Sequence, residues 1–164
     1  MLYWSPPHLP FGHRSRNGFT LIELLVTFMI IATLGAIAVP TYNYYIDKAR
    51  NNQALVDIID IESKIIAFQV ENQVPLNTLA QVGMGNRLDP WGNPYRYLRI
   101  LGVPPNLIRS IWRKDRFLVP INSDYDLYSM GKDGRTNPAL TARVSRDDII
   151  RANNGGYKGP AEGF

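Results

Sequence analysis

The sequence predicts an α+β protein in which one helix of more than 50 residues packs on a small three-stranded antiparallel sheet. Two observations carry the helix: an unbroken apolar run over residues 19–39, and apolar residues at spacings of three and four from Leu55 to Phe68. A third carries the sheet. Beyond residue 74, short β-rich runs are separated by Pro, Gly and Asn turns.

From Phe19 to Val39 the only charge is Glu23. As a helix this run would span about 31 Å, close to the hydrocarbon thickness of a bilayer. A carboxylate there costs about 2.5–3.5 kcal/mol at the bilayer centre and less near the interface, and the run holds no Lys or Arg to pair with it. A cut after Gly18 would create an α-amine on Phe19, one turn from Glu23, able to pair with a carboxylate of a neighbouring chain. The plainer reading is a single-pass anchor with an interfacial Glu.

Pro40 removes a helical hydrogen bond and is expected to kink or loosen the helix locally. Beyond it, Leu55, Ile58, Ile61, Ile65 and Phe68 form an apolar stripe, widened by Val56, Ile59 and Ile66. Asp47, Lys48, Arg50, Asp57, Asp60, Glu62 and Lys64 supply the polar face. Asn72, Pro75 and Asn77 end the helix. Residues 19–40 are thus the membrane half and 41–74 the amphipathic half, with 75–164 completing the same globular domain.

In that last part, a short helix is expected at Thr78–Val82 and strands at Tyr95–Leu101, Phe117–Ile121 and Tyr125–Met130. Pro104 and Pro105 break the chain between the first two.

Composition narrows the function. Without residues 1–18 the chain has 16 basic against 14 acidic residues, no general nucleic-acid footprint. Ile111–Arg116, with its Trp and three cations, reads as a solvated face rather than a nucleic-acid contact. Cysteine is absent, which excludes thiol catalysis and Cys-based zinc sites. Both histidines, His8 and His13, precede Gly18, and no nucleophile-elbow or phosphate-loop pattern follows it, so a non-enzymatic role is expected. Residues 1–18 contain Pro6, Pro7 and Pro10 and no apolar run, unlike a secretory signal. Arg14 and Arg16 favour a cytoplasmic N-terminus, although Lys48 and Arg50 weaken the charge asymmetry.

Arg14 and Arg16, then Gly18-Phe19-Thr20-Leu21-Ile22-Glu23, an apolar run and Pro40 resemble the N-terminus of type IV pilins and type II secretion pseudopilins. Asp89-Pro90-Trp91-Gly92-Asn93-Pro94-Tyr95, the run Asp126–Gly134 and Asp147-Asp148-Ile149 resemble segments of the major pseudopilin of type II secretion systems. The missing cysteines lean the same way, since many type IV pilins close a C-terminal loop with a disulfide.

The resemblance implies a type IV pilin-like fold and residues 1–18 removed by a prepilin peptidase, with cleavage between Gly18 and Phe19 and N-methylation of Phe19. It implies that Glu23 pairs with the N-terminus of the adjacent subunit in a homo-oligomeric filament. Minor pseudopilins and an inner-membrane assembly platform would be its partners. The leader would be cytoplasmic and the C-terminal domain periplasmic. A surface pilin serving adhesion, motility or DNA uptake is the alternative.

The family also has a calcium site. Carried over, it implies side-chain ligands Asp133, Asp147 and Asp148 with carbonyls near Met130 and Lys132, a hard-oxygen set suited to a cation taking about six to eight oxygens. By residue type alone, Asp133-Gly134 is a tight turn and Ser145 a helix N-cap ahead of two acidic residues. The chain departs from the family pattern at Val74, where the family often has Tyr, in a Gly-rich tail without Trp after Asp148, and in two longer segments. Residues 102–124 are longer and more basic, and the step from Asp133 to Asp147 is longer.

Overall fold

The computed structural model describes Met1 and residues 18–164, so the expectations on His8, His13, Arg14 and Arg16 lie outside the described residues. The chain divides into two units, Met1–Tyr42 and Asn43–Phe164. A single helix, α1 (Leu21–Asn72), contributes to both, and its helical assignment passes through Pro40 without a break.

In the first unit α1 is long and apolar enough to cross a membrane, and none of its most apolar window is buried. Large side chains from Phe19 to Val39 are exposed along the whole run.

In the second unit the sheet has four antiparallel strands, not three: β1 (Arg96–Arg99), β2 (Tyr125–Ser129), β3 (Ile149–Ala152) and β4 (Tyr157–Pro160), in the order β1-β2-β3-β4. Arg96 pairs with Tyr128, Ser129 with Ile149, and Ala152 with Tyr157. The expected strand at Phe117–Ile121 does not form. Leu118 accepts from the amide of Asp115 and the Ile121 amide donates to Arg113, which closes a local loop. Pro120 has no N–H for a ladder, and Phe117, Leu118 and Val119 face solvent. The C-terminal hairpin β3–β4 went unrecognised. Its turn, Asn153-Asn154-Gly155, is left-handed throughout, a conformation for which Asn and Gly are suited.

Alternation along the strands gives the sheet two buried faces. Leu127 and Ile149 meet Ala54, Ile58, Ile61 and Ile65 of α1 together with Leu76 and Leu79. Ile150 and Ala152 turn the other way, onto Ile121, Leu140 and Ala161. A third cluster, Ile100, Ile108 and Trp112, anchors the 102–124 segment, which contains the short helix α2 (Pro105–Ile108). The expected helix near Thr78 is a 3-10 turn, Leu79–Val82, with Thr78 as its cap and Gly83 left-handed behind it.

The stripe on α1 is narrower than its periodicity suggests. Ile58, Ile61 and Ile65 are buried, but Val56, Ile59 and Ile66 lie outside, about half exposed. Ala54 takes a core place instead, and two residues expected on the polar face, Asp57 and Glu62, are buried. Each has found a partner from the sheet side. Arg87 Nη2 and the Tyr95 hydroxyl donate to Asp57 at 2.7 and 2.9 Å. Arg151 Nε and Lys158 Nζ reach Glu62 at 2.7 and 2.8 Å. Burial, reinforced by the Asp57 carboxylate, holds the Tyr95 phenol above its ordinary range.

Candidate functional site

The membrane half begins with a reciprocal cap. Thr20 Oγ1 accepts from the Glu23 amide at 3.3 Å, while Glu23 Oε2 accepts from the Thr20 amide at 2.9 Å and from its hydroxyl at 2.8 Å. This is a capping box, Thr-x-x-Glu, and it satisfies backbone donors that the first helical turn otherwise leaves open. Glu23 is therefore held at the helix start, on a segment where Phe19, Leu21 and Ile22 are all largely exposed. Thr20 was not singled out from sequence, although the spacing of the capping box was legible there. Further along α1, Tyr42, Tyr44 and Tyr45 are exposed just beyond the apolar run, as aromatic residues at a membrane–water boundary often are.

The turn segment Asp89–Tyr95 is a clamp. Asp89 Oδ1 accepts the amides of Trp91 and Asn93 at 3.0 and 2.8 Å, and Asp89 Oδ2 accepts the Ser129 hydroxyl at the end of β2. Asn93 Nδ2 then donates to the Gly131 carbonyl at 3.0 Å, tying the clamp to the C-terminal loop. Gly131 is left-handed, and a Cβ there would collide with the Asp147 carbonyl. Only glycine fits that approach.

The donors that the resemblance implies for calcium lie along the stretch from Met130 to Asp148. Among the described residues no group of three or more acidic side chains is placed to hold a metal ion. Asp133 is exposed, and its Oδ1 accepts the Arg135 amide at 2.8 Å. Asp147 is half-buried and accepts the Asp133 amide at 3.0 Å. Asp148 is completely buried. It carries the alternation of β3 back one residue, so it lies with Ile150 on the face away from α1. There Arg113 Nη2 and the Thr136 hydroxyl both donate to its Oδ2, the latter at 2.7 Å. Burial pushes the Asp148 carboxyl up to about 6 against the pull of Arg113. Beside the backbone carbonyls expected as donors, the Met130 side chain is buried and the Lys132 ammonium lies 2.7 Å from Asp47. Nor is Ser145 a helix N-cap; it closes a 3-10 turn, Arg143–Ser145, and its hydroxyl accepts the Asn137 amide at 2.8 Å.

The model of the prokaryotic N-terminal methylation motif matches residues 13–39. Over 143 residues the chain is 29% identical to the type II secretion system core protein G of Pseudomonas aeruginosa, covering 74% of this chain and 87% of that protein. It is 30% identical over 105 residues to the core protein G of Vibrio cholerae, covering 52% of this chain and 72% of that protein. The chain belongs to the type II secretion core protein G family. It is a pseudopilin subunit, with a long apolar helix and an antiparallel sheet as that identity leads one to expect. The fimbrial protein Q of Moraxella bovis is 34% identical over 61 residues but is covered over only 39% of its length, so the surface-pilin alternative is not favoured. No solved structure matches.

Within this pseudopilin the structure brings together residues that sequence reasoning kept apart. Arg113 was read as part of a solvated basic face, yet its side chain is 1% exposed. The one signal available was its place in a segment longer than the family pattern.

Proposed function

We propose that this pseudopilin is made with residues 1–18 as a cytoplasmic leader, cut between Gly18 and Phe19 by a prepilin peptidase and N-methylated on Phe19. The mature chain then stands in the inner membrane with its second unit in the periplasm. Copies assemble into a helical filament in which Glu23 of one subunit neutralises the Phe19 amine of the next. The filament works with minor pseudopilins and an inner-membrane platform to move folded proteins across the outer membrane. Its role is structural rather than catalytic.

One observation carries this reading: Glu23 is the only charge in a 19–39 segment whose large side chains are all left uncovered by the described residues. Lipid satisfies such a surface before assembly and neighbouring helices satisfy it afterwards. Within the second unit a row of exposed apolar side chains on the amphipathic half, Val56, Ile59, Ile66 and Val70, suits packing by further copies.

The test is Glu23→Ala in cells that carry the secretion machinery. N-terminal sequencing should still give methylated Phe19 in the membrane fraction, while cross-linked multimers and secreted proteins are lost. Normal multimers from this variant would remove Glu23 from the assembly account. Loss of surface fibres with secretion intact, on deleting the whole gene, would return the surface-pilin reading.

A further inference from the structure

The two longer segments that depart from the family pattern meet in space. The Lys114 amide donates to the Pro138 carbonyl, and the Leu140 amide donates back to Lys114, both at 2.9 Å. Through this contact residues 112–114 are threaded against residues 136–140. The side chain delivered there is Arg113. Its Nη1 donates to the Thr136 hydroxyl and to the Asn137 carbonyl, the latter at 2.7 Å, and its Nη2 donates to Asp148. The guanidinium also lies over the Tyr128 ring, 4.4 Å from its centre. At its own backbone, the Arg113 amide donates to Asp126 at 2.7 Å.

We propose that Arg113 is a built-in cation that takes over the charge-neutralising role of calcium in this loop, so that the fold of residues 131–148 does not depend on the metal. A fixed guanidinium donates hydrogen bonds to a carboxylate, a hydroxyl and a carbonyl, all oxygen groups of the kind calcium would coordinate. It commits Asp148 to the interior. Asp133 and Asp147, exposed and half-buried, are left to water and to backbone amides. The lengthened 102–124 segment then has a purpose: Ile108 and Trp112 anchor it on Ile100, which fixes where Arg113 enters. The inference goes beyond the subunit's role in secretion and does not rest on it.

Among the described residues, Arg113 Nε and Asp148 Oδ1 are buried without a partner, and the latter is an acceptor that a metal could still use. The decisive experiment is therefore a melt of the full chain in detergent micelles, followed by tryptophan fluorescence, in millimolar calcium and in chelator. The melting temperature is expected to be the same in both. Arg113→Gln should lower it by about 10 °C in both, because it leaves Asp148 as a buried unpaired charge. Arg113→Lys, which keeps the charge but loses the fork, should fall between. A wild-type melting temperature several degrees higher with calcium would overturn the proposal, as would an Arg113→Gln chain that melts like wild type. If Arg113→Gln does not accumulate, the wild-type comparison and Arg113→Lys still decide it.

Discussion

Replacing Arg151 by Met tests what joins the sheet to α1. The Arg151 side chain is 4% exposed and makes two short ionic contacts, Nε to Glu62 and Nη2 to Asp124, each at 2.7 Å. Nη1 adds Asp124 Oδ1 at 2.9 Å and the Tyr125 carbonyl at 3.2 Å, and the guanidinium stacks 4.1 Å above the Tyr125 ring. Removing one partner of a buried ion pair costs about 3–5 kcal/mol, because the other charge is stranded. Here the lower end applies. Glu62 keeps Lys158 at 2.8 Å, and the Asp124 side chain, 31% exposed, regains water. Met retains most of the apolar stem, so the expected loss is about 3 kcal/mol, or roughly 10 °C in melting temperature. Arg87→Met is the control. Its side chain is 43% exposed, and Asp57 keeps the Tyr95 hydroxyl and the Gln53 amide, so about 1 kcal/mol is expected. Thermal unfolding followed through Trp91 and Trp112, which both lie in the second unit, measures the two side by side. A loss below 1 kcal/mol for Arg151→Met, or an equal loss for Arg87→Met, would refute the account of Arg151 as the hub.

Further outcomes follow from the same structure. Asp126 is buried, with the Arg113 amide and the Asn122 side chain as its partners among the described residues, and burial pushes its carboxyl up to about 6 from an ordinary 3.8. The folded state thus holds this proton more tightly than the unfolded chain. Its contribution is present below about pH 4 and fades as the pH rises to 6, by on the order of 2–3 kcal/mol. Urea midpoints measured across that window should show the decline in wild type and a flatter profile in Asp126→Asn; identical profiles would count against it. Ile61→Ala empties a fully buried site between α1 and the sheet and should cost about 2–5 kcal/mol, whereas Ile59→Ala on the exposed side should cost less than about 0.5. Equal losses at the two positions would mean that the helix face is misassigned.

Much of this protein was legible locally. Helix α1 declares itself through an uninterrupted apolar run and a three-four period, and Thr78 capping a turn is a matter of neighbours in sequence. The Thr20–Glu23 cap belongs with these, since it needs only residues three apart. The Asn-Asn-Gly-Gly turn of the last hairpin was equally local; it went unread because the strands it joins are only four residues each.

The ionic interior was a different matter. Asp57 and Glu62 have the composition of a polar face, and nothing within a few residues says they will be buried. That depends on Arg87 and Arg151, 30 and 89 residues away, and a charge enters a core only when such a partner arrives with it. The same holds at the C-terminal loop. Sequence places Asp133, Asp147 and Asp148 in one C-terminal stretch, with a step of 14 residues between the first two, and resemblance assigns them one cation. Strand alternation sends Asp148 to the face away from α1, and a guanidinium from 35 residues earlier meets it there. Period and turn chemistry are written in adjacent residues, so the sequence by itself determined the helix, its caps and the presence of a sheet. Which charges pair is decided by distances that exist only once the sheet has closed on the helix, and that only the tertiary structure decided.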